Sequence, residues 1–196
     1  MHGAKMDSLM KTLFIPVLSG TAREGSLTKR IAQEVFSRAK LFGFESEFID
    51  VSLAHLSKTE EQTAFIDTWK MTMEKADGLI VVSPEYNHGY PGELKLFLDE
   101  AYKEYHKKPL ALFGVSDGGL GGARMVEQLR LVSIELHMVP IRNSVYFSNA
   151  NNLFNNDGTL NDSIKEYDAR ITKVFDELKW YGNALKVARE NDKGEQ

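Results

Sequence analysis

Three short stretches of the chain concentrate the residue types that can do chemistry, and each directly follows an apolar run. The first is Ser19-Gly20-Thr21-Ala22-Arg23-Glu24-Gly25-Ser26-Leu27-Thr28. Backbone N–H groups at a helix N-terminus lack partners and carry partial positive charge, so they stabilise a phosphate. The glycines allow close approach, the hydroxyls of Thr21, Ser26 and Thr28 add donors, and Arg23 adds a forked cation. The spacing is not that of a Walker A loop, because no Lys-Ser or Lys-Thr pair follows a glycine, and it is not GxGxxG. The competing reading is an ordinary turn in which Ser26 merely caps the helix.

The second stretch is Ser83-Pro84-Glu85-Tyr86-Asn87-His88-Gly89-Tyr90-Pro91-Gly92. Two prolines and two glycines constrain this backbone. It suits presentation of main-chain N–H groups and a tyrosine face to a flat polar ring, although tyrosines also pack on neighbouring helices. Glu85 serves equally as an acceptor for loop donors or as a cofactor contact. His88 reads as a proton donor, a ligand or a plain surface residue, and a histidine without a partner is usually the last. The third stretch is Ser116-Asp117-Gly118-Gly119-Leu120-Gly121-Gly122-Ala123-Arg124, where four glycines leave room for a planar group or simply make a flexible loop. Arg124 can meet a phosphate or an acidic partner. Singly, each stretch is ambiguous. Together they suit a mononucleotide, with one loop for a phosphate and two for the attached ring, better than a dinucleotide.

The elements that must position these loops follow from hydrophobic pattern. Apolar runs at Thr12–Leu18, Phe44–Val51, Gly78–Ser83, Leu110–Val115 and Val145–Phe147 read as five strands, with Pro16 awkward in the first. Helical spacing is expected over Leu27–Leu41, Glu60–Lys75, from Pro91 onward, Arg124–His137, and from about Asp162 into the charged C-terminus. Polar loops fall at Ser52–Thr59 and Asn149–Asn156. Strands alternating with helices imply a doubly wound parallel sheet of class α/β. Right-handed crossovers then gather all three loops at one sheet edge.

Composition narrows the function classes. The 196 residues suit one domain, expected over 11–188, with residues 1–10 a lead-in and 189–196 a frayed end. There is no cysteine, so disulfides and thiolate chemistry are excluded. A net charge of −4 offers no basic stripe for nucleic acid, and no apolar run has membrane-span length. The opening MHGAKMDSLMK has neither the apolar core nor the cleavage site of a signal peptide, and a cytoplasmic location is expected.

The three stretches resemble the NADPH-dependent FMN reductase family, a branch of the flavodoxin-like fold. The family's Gly-Ser-x-Arg-x-x-Ser is met by Gly20, Thr21, Arg23 and Ser26, with threonine for the first serine. Pro-Glu-Tyr-Asn and Pro-Gly-x-Leu-Lys are met by Pro84–Asn87 and by Pro91, Gly92, Leu94 and Lys95. The glycine-rich stretch, an arginine and Gln-Leu-Arg are met by Gly118–Gly122, Arg124 and Gln128–Arg130, and the likeness runs on through Leu136–Pro140. Where the family commonly continues Asn-Ala, Leu96-Phe97 stand here, which suits either core packing or an altered subunit contact.

The resemblance implies a three-layer sandwich around a five-stranded parallel sheet, with bound FMN reduced by NADPH or NADH. It assigns the FMN phosphate to Thr21, Arg23, Ser26 and the Leu27–Thr28 backbone. Pro84, Glu85, Tyr86 and Asn87 would line the isoalloxazine edge, and Ser116, Gly118 and Gly119 its other side. Arg124 would help place NAD(P)H phosphates, and Asp117 would either tune the flavin or cap a helix. No side-chain catalyst is required, because the flavin carries the chemistry. The acceptor is expected to be a free flavin, quinone, azo compound or metal ion, and the assembly a homodimer or homotetramer. The rival readings are a flavodoxin-like electron carrier, which the mild charge and Arg23 disfavour, and a flavin-free module on the same fold.

Overall fold

Leu79–Pro84 (β3) and Pro109–Val115 (β4) are buried along their whole length, as strands sandwiched between two helical layers must be. In the computed structural model, which describes residues 12–53 and 60–194, they form the centre of a five-stranded sheet. Val17–Ser19 (β1), Phe48–Asp50 (β2) and Val139–Phe147 (β5) complete it in the order β2-β1-β3-β4-β5, all parallel. This is the flavodoxin-like order, with its switch point between β1 and β3.

Alternation along the central strands sorts the core into two halves. Val17, Ile80, Val82, Ala111 and Phe113 face helices Leu27–Phe42 (α1) and Asp168–Gly194 (α5). Leu18, Leu79, Val81, Leu110 and Leu112 face Glu60–Lys75 (α2), Gly92–Leu98 (α3) and Ala123–Glu135 (α4). Aromatic rings fill both halves: Phe42, Phe44 and Phe113 meet Phe175 on one side, and Phe65 and Trp69 meet Phe97 on the other. Trp69 Nε1 donates to the Tyr105 hydroxyl at 3.0 Å, which donates to the Leu98 carbonyl at 3.0 Å. Burial pushes the Tyr105 phenol well above its ordinary range.

Several boundaries differ from the sequence pattern, each for a physical reason. The first run pairs continuously only over Val17–Ser19, because Pro16 has no N–H to give the ladder; Phe14 makes an isolated bridge to Glu45. The second strand shortens to Phe48–Asp50 and turns into a 3₁₀ segment at Val51–Leu53. β5 is longer than the expected Val145–Phe147 and includes Pro140, which an edge strand tolerates. Its register shifts between Leu110 and Leu112, and Arg130 caps the irregularity. Arg130 donates to the carbonyls of Ile141 and Arg142 and to Ser144 Oγ. The last helix begins with a 3₁₀ turn at Asp162–Tyr167, and residues 189–194, expected to fray, are helical. Arg189 and Lys186 hold buried Asp77, and Arg189 also donates to the Lys107 carbonyl. The expected lead-in at 1–10 and most of the Ser52–Thr59 loop lie outside the described residues.

Candidate functional site

α1 starts where its sequence says it should. Ser26 caps it, accepting from Thr28 N at 3.2 Å, and left-handed Gly43 ends it at φ 104°. The cap leaves the backbone N–H groups of Glu24, Gly25, Ser26 and Leu27 unpaired among the described residues. Arg23 beside them is exposed and forms no ion pair among those residues. The helix-cap reading of this loop is therefore met, and the cap leaves donors beside Arg23 that an anion could use.

The second loop is a tight two-residue turn. Tyr86 and Gly89 exchange both backbone hydrogen bonds at 2.9 Å, and Asn87 and His88 between them take φ 49° and 70°. Two positive values in succession are what a type I′ turn demands. The His88 carbonyl is held by Gln128 Nε2 at 2.8 Å, which braces the loop, and the exposed His88 ring has no hydrogen-bond or ion-pair partner among the described residues. Glu85 is the structural acceptor of the two readings: its side chain is 4% exposed and accepts from Arg124 Nε at 2.6 Å and Arg124 N at 3.1 Å. Arg124 thus ties the second loop to the third.

The third loop splits in two. Gly121 and Gly122 are buried at φ 57° and 84°, and a Cβ on Gly114 would lie 2.5 Å from the Gly121 carbonyl oxygen. These glycines pack the α4 N-terminus onto β4 rather than open space for a ring. Gly118 and Gly119 are exposed and retain that capacity. A fourth segment, not recognised in the sequence, fastens this loop from β5. The N–H groups of Asn149, Ala150 and Asn151 donate in turn to Gly118 O, Ser116 O and Asp117 Oδ1. Asp117 is therefore neither a helix cap for α4 nor free of partners.

The loops enclose a cavity of about 520 Å³ lined by residues 23–28, 84–86, 115–117 and 150–151. That volume lies within the range of small-molecule and cofactor sites. Of the expected residues, Arg23, Ser26, Leu27, Thr28, Pro84, Glu85, Tyr86 and Ser116 line it. Thr21, Asn87, Gly118, Gly119 and Arg124 do not line it, although all belong to the same three loops. Ala150 and Asn151 were missed; their only sequence signal was an Asn-rich loop following a short apolar run. Leu96-Phe97 also resolve: Phe97 is core, and Leu96 is half exposed.

The residues fit FMN. N–H groups and an arginine side chain without partners among the described residues stand at one end, a tyrosine and a rigid turn at the other, and polar Ser116, Asp117 and Asn151 between. Among the described residues no group of three potential metal ligands is gathered, and no helix is long and apolar enough to cross a membrane.

Comparison with known proteins agrees. An NAD(P)H-dependent FMN reductase of Schizosaccharomyces pombe is 35% identical over 145 residues, covering 67% of this chain and 72% of that protein. A 2-hydroxy-1,4-benzoquinone reductase of a Burkholderia species is 33% identical over 135 residues, covering 65% and 73%. In fold, the FerB NAD(P)H:(acceptor) oxidoreductase of Paracoccus denitrificans superposes with TM-score 0.70 at 21% identity, over 87% of this chain and 99% of that one. The model of one family matches residues 13–152, well over half the chain, and carries all three loops: the chain belongs to the NADPH-dependent FMN reductase family.

Proposed function

We propose that this chain is an NAD(P)H-dependent oxidoreductase that holds FMN in the cavity at the carboxyl edge of its sheet and reduces a small acceptor. The observation that carries the reading is the row of N–H groups at 24–27 beside Arg23, the N–H groups without a bond and Arg23 without an ion pair among the described residues, opening into a cavity of cofactor size. Arg23, Ser26 and the N–H groups of Glu24 to Leu27 bind the phosphate, while the Thr28 N–H serves the Ser26 cap. Pro84, Glu85, Tyr86 and half-buried Ser116 orient the ring from the cavity wall, with Asn87 and the exposed Gly118 and Gly119 beside it. When bound, FMN supplies the hydride-accepting and hydride-donating chemistry. The chain's part is orientation, exclusion of water and preorganised N–H donors, which favour charge on the reduced cofactor.

Quinones, azo compounds and free flavins are the acceptor class we infer, since related proteins carry the names quinone reductase, azoreductase and FMN reductase. Homodimerisation or tetramerisation is part of the same proposal. Half-exposed Leu96 on α3 and exposed Leu131 and Ile134 on α4 give that layer an apolar outer surface. Cytoplasmic residence, where NAD(P)H is at hand, completes it.

The test is a visible spectrum of purified protein supplied with FMN, recorded without oxygen before and after NADPH. Bound flavin that bleaches on NADPH supports the reading. Flavin that binds but stays oxidised with NADPH and NADH points to an electron carrier, and no binding removes the proposal.

A further inference from the structure

Thr21 occupies the position at which the family resemblance expects a hydroxyl on the cofactor phosphate, yet its side chain is 1% exposed and does not line the cavity. Its oxygen has three polar neighbours. It donates to Glu93 Oε1 at 3.2 Å, accepts from Arg23 N at 3.2 Å, and lies 2.9 Å from the Tyr86 hydroxyl. A threonine hydroxyl has one proton to give and two lone pairs to receive with. An ionised carboxylate only accepts, so the proton goes to Glu93. One lone pair takes the Arg23 N–H. The contact with Tyr86 must then run from the tyrosine O–H to the remaining lone pair. The Thr21 hydroxyl is saturated, with nothing left to offer a phosphate.

Ser26 shows the contrast. Its oxygen accepts from Thr28 N, and its own proton has no acceptor among the described residues at the cavity wall. Glu93 reaches further still, taking the Ala22 N–H at 3.2 Å. It stands at the variable position of the Pro-Gly-x-Leu-Lys motif, on the first turn of α3, behind the first loop rather than inside the cavity. Tyr86 is held at both ends, by its backbone pairing with Gly89 and by its hydroxyl on Thr21.

We propose that Glu93, Thr21 and Tyr86 form a one-directional hydrogen-bond brace that sets the ring-facing loop against the phosphate-facing loop, and that Thr21 is a positioning residue rather than a phosphate ligand. This rests on the FMN-binding reading above. The phosphate is recognised by the groups at 23–28, and the brace acts on the flavin through Tyr86, which forms the cavity wall. Loss of the brace therefore weakens binding of any flavin, phosphorylated or not.

The experiment compares FMN with riboflavin, which lacks the phosphate, by flavin fluorescence quenching on purified protein. Thr21→Val and Tyr86→Phe should each weaken both flavins by the same factor, about 2- to 10-fold, the value of a neutral hydrogen bond. The FMN-to-riboflavin affinity ratio should stay within about twofold of wild type, and the double variant should be no weaker than either single one. Thr21→Ser, which keeps the hydroxyl, should restore wild-type binding. Arg23→Ala is the control for a true phosphate contact and should lower the ratio. Three results would overturn the brace: Thr21→Val that weakens FMN and spares riboflavin, effects of the two variants that multiply, or variants that lower Tm with both affinities unchanged. Failure of the wild-type chain to bind either flavin is a separate outcome, which removes the FMN-binding reading itself.

Discussion

Replacing Arg124 by alanine separates two roles for that residue. The resemblance gives it to the NAD(P)H phosphates; the structure gives it a carboxylate within its own chain. Glu85 is 4% exposed at its side chain and receives the Arg124 guanidinium at 2.6 Å and the Arg124 backbone N–H at 3.1 Å. Truncation removes the first bond and keeps the second. A hydrogen bond to a charged group contributes about 1.5–3 kcal/mol, and breaking a fully buried pair costs about 3–5 kcal/mol. Here the arginine side chain is 44% exposed, so water reaches the vacated side and the larger figure does not apply. A loss of about 1–2 kcal/mol follows, which lowers Tm by about 2–8 °C in a chain of this size. The second and third loops then keep only the backbone half of their tie, so FMN binding weakens as well. Thermal unfolding, flavin titration and steady-state kinetics with NADPH on Arg124→Ala read all three quantities. If KM for NADPH rises while Tm and FMN affinity stay at wild-type values, Arg124 is a nucleotide contact and the clamp has no function.

Two further outcomes are expected. Gly121→Ala places a Cβ 2.7 Å from the Tyr146 carbonyl carbon at φ 57°, where backbone faces backbone and nothing can yield. It should cost at least about 2 kcal/mol, seen as a Tm lower by about 4–8 °C, and a drop under about 2 °C contradicts the packing. At the opposite sheet edge His106 stacks on His137 with ring centroids 4.5 Å apart. Burial first, then His137, hold the His106 imidazolium below the ordinary histidine range; Lys103 and Lys107 add to this and Glu104 opposes it. The unfolded chain therefore takes up a proton before the native one as pH falls. Stability should decline as pH drops through the ordinary histidine range and level off below the native value. His106→Asn should flatten the dependence of denaturation midpoint on pH between about pH 7 and 5, and an unaltered slope excludes this origin.

The parallel sheet and the edge at which its loops meet were legible in the sequence because both rest on local rules. Continuous apolar runs at β3 and β4 demand cover on both faces, and right-handed crossovers leave the loops after β1, β3 and β4 no other place. Ser26 as a cap and Pro16 as a weak point in its strand act over a few residues, so their types alone announce them. Which side chains face a ligand was decided elsewhere. Thr21 spends its hydroxyl on Tyr86 and Glu93, 65 and 72 positions away, and Arg124 meets Glu85 across 39. Ala150 and Asn151 join the cavity wall only because β5 lies beside β4. A hydroxyl or a guanidinium has few bonding sites, and the fold brings distant competitors for them into reach. Motif spacing therefore pointed to the loops that meet around the cavity, and tertiary packing determined which of their donors remain uncommitted.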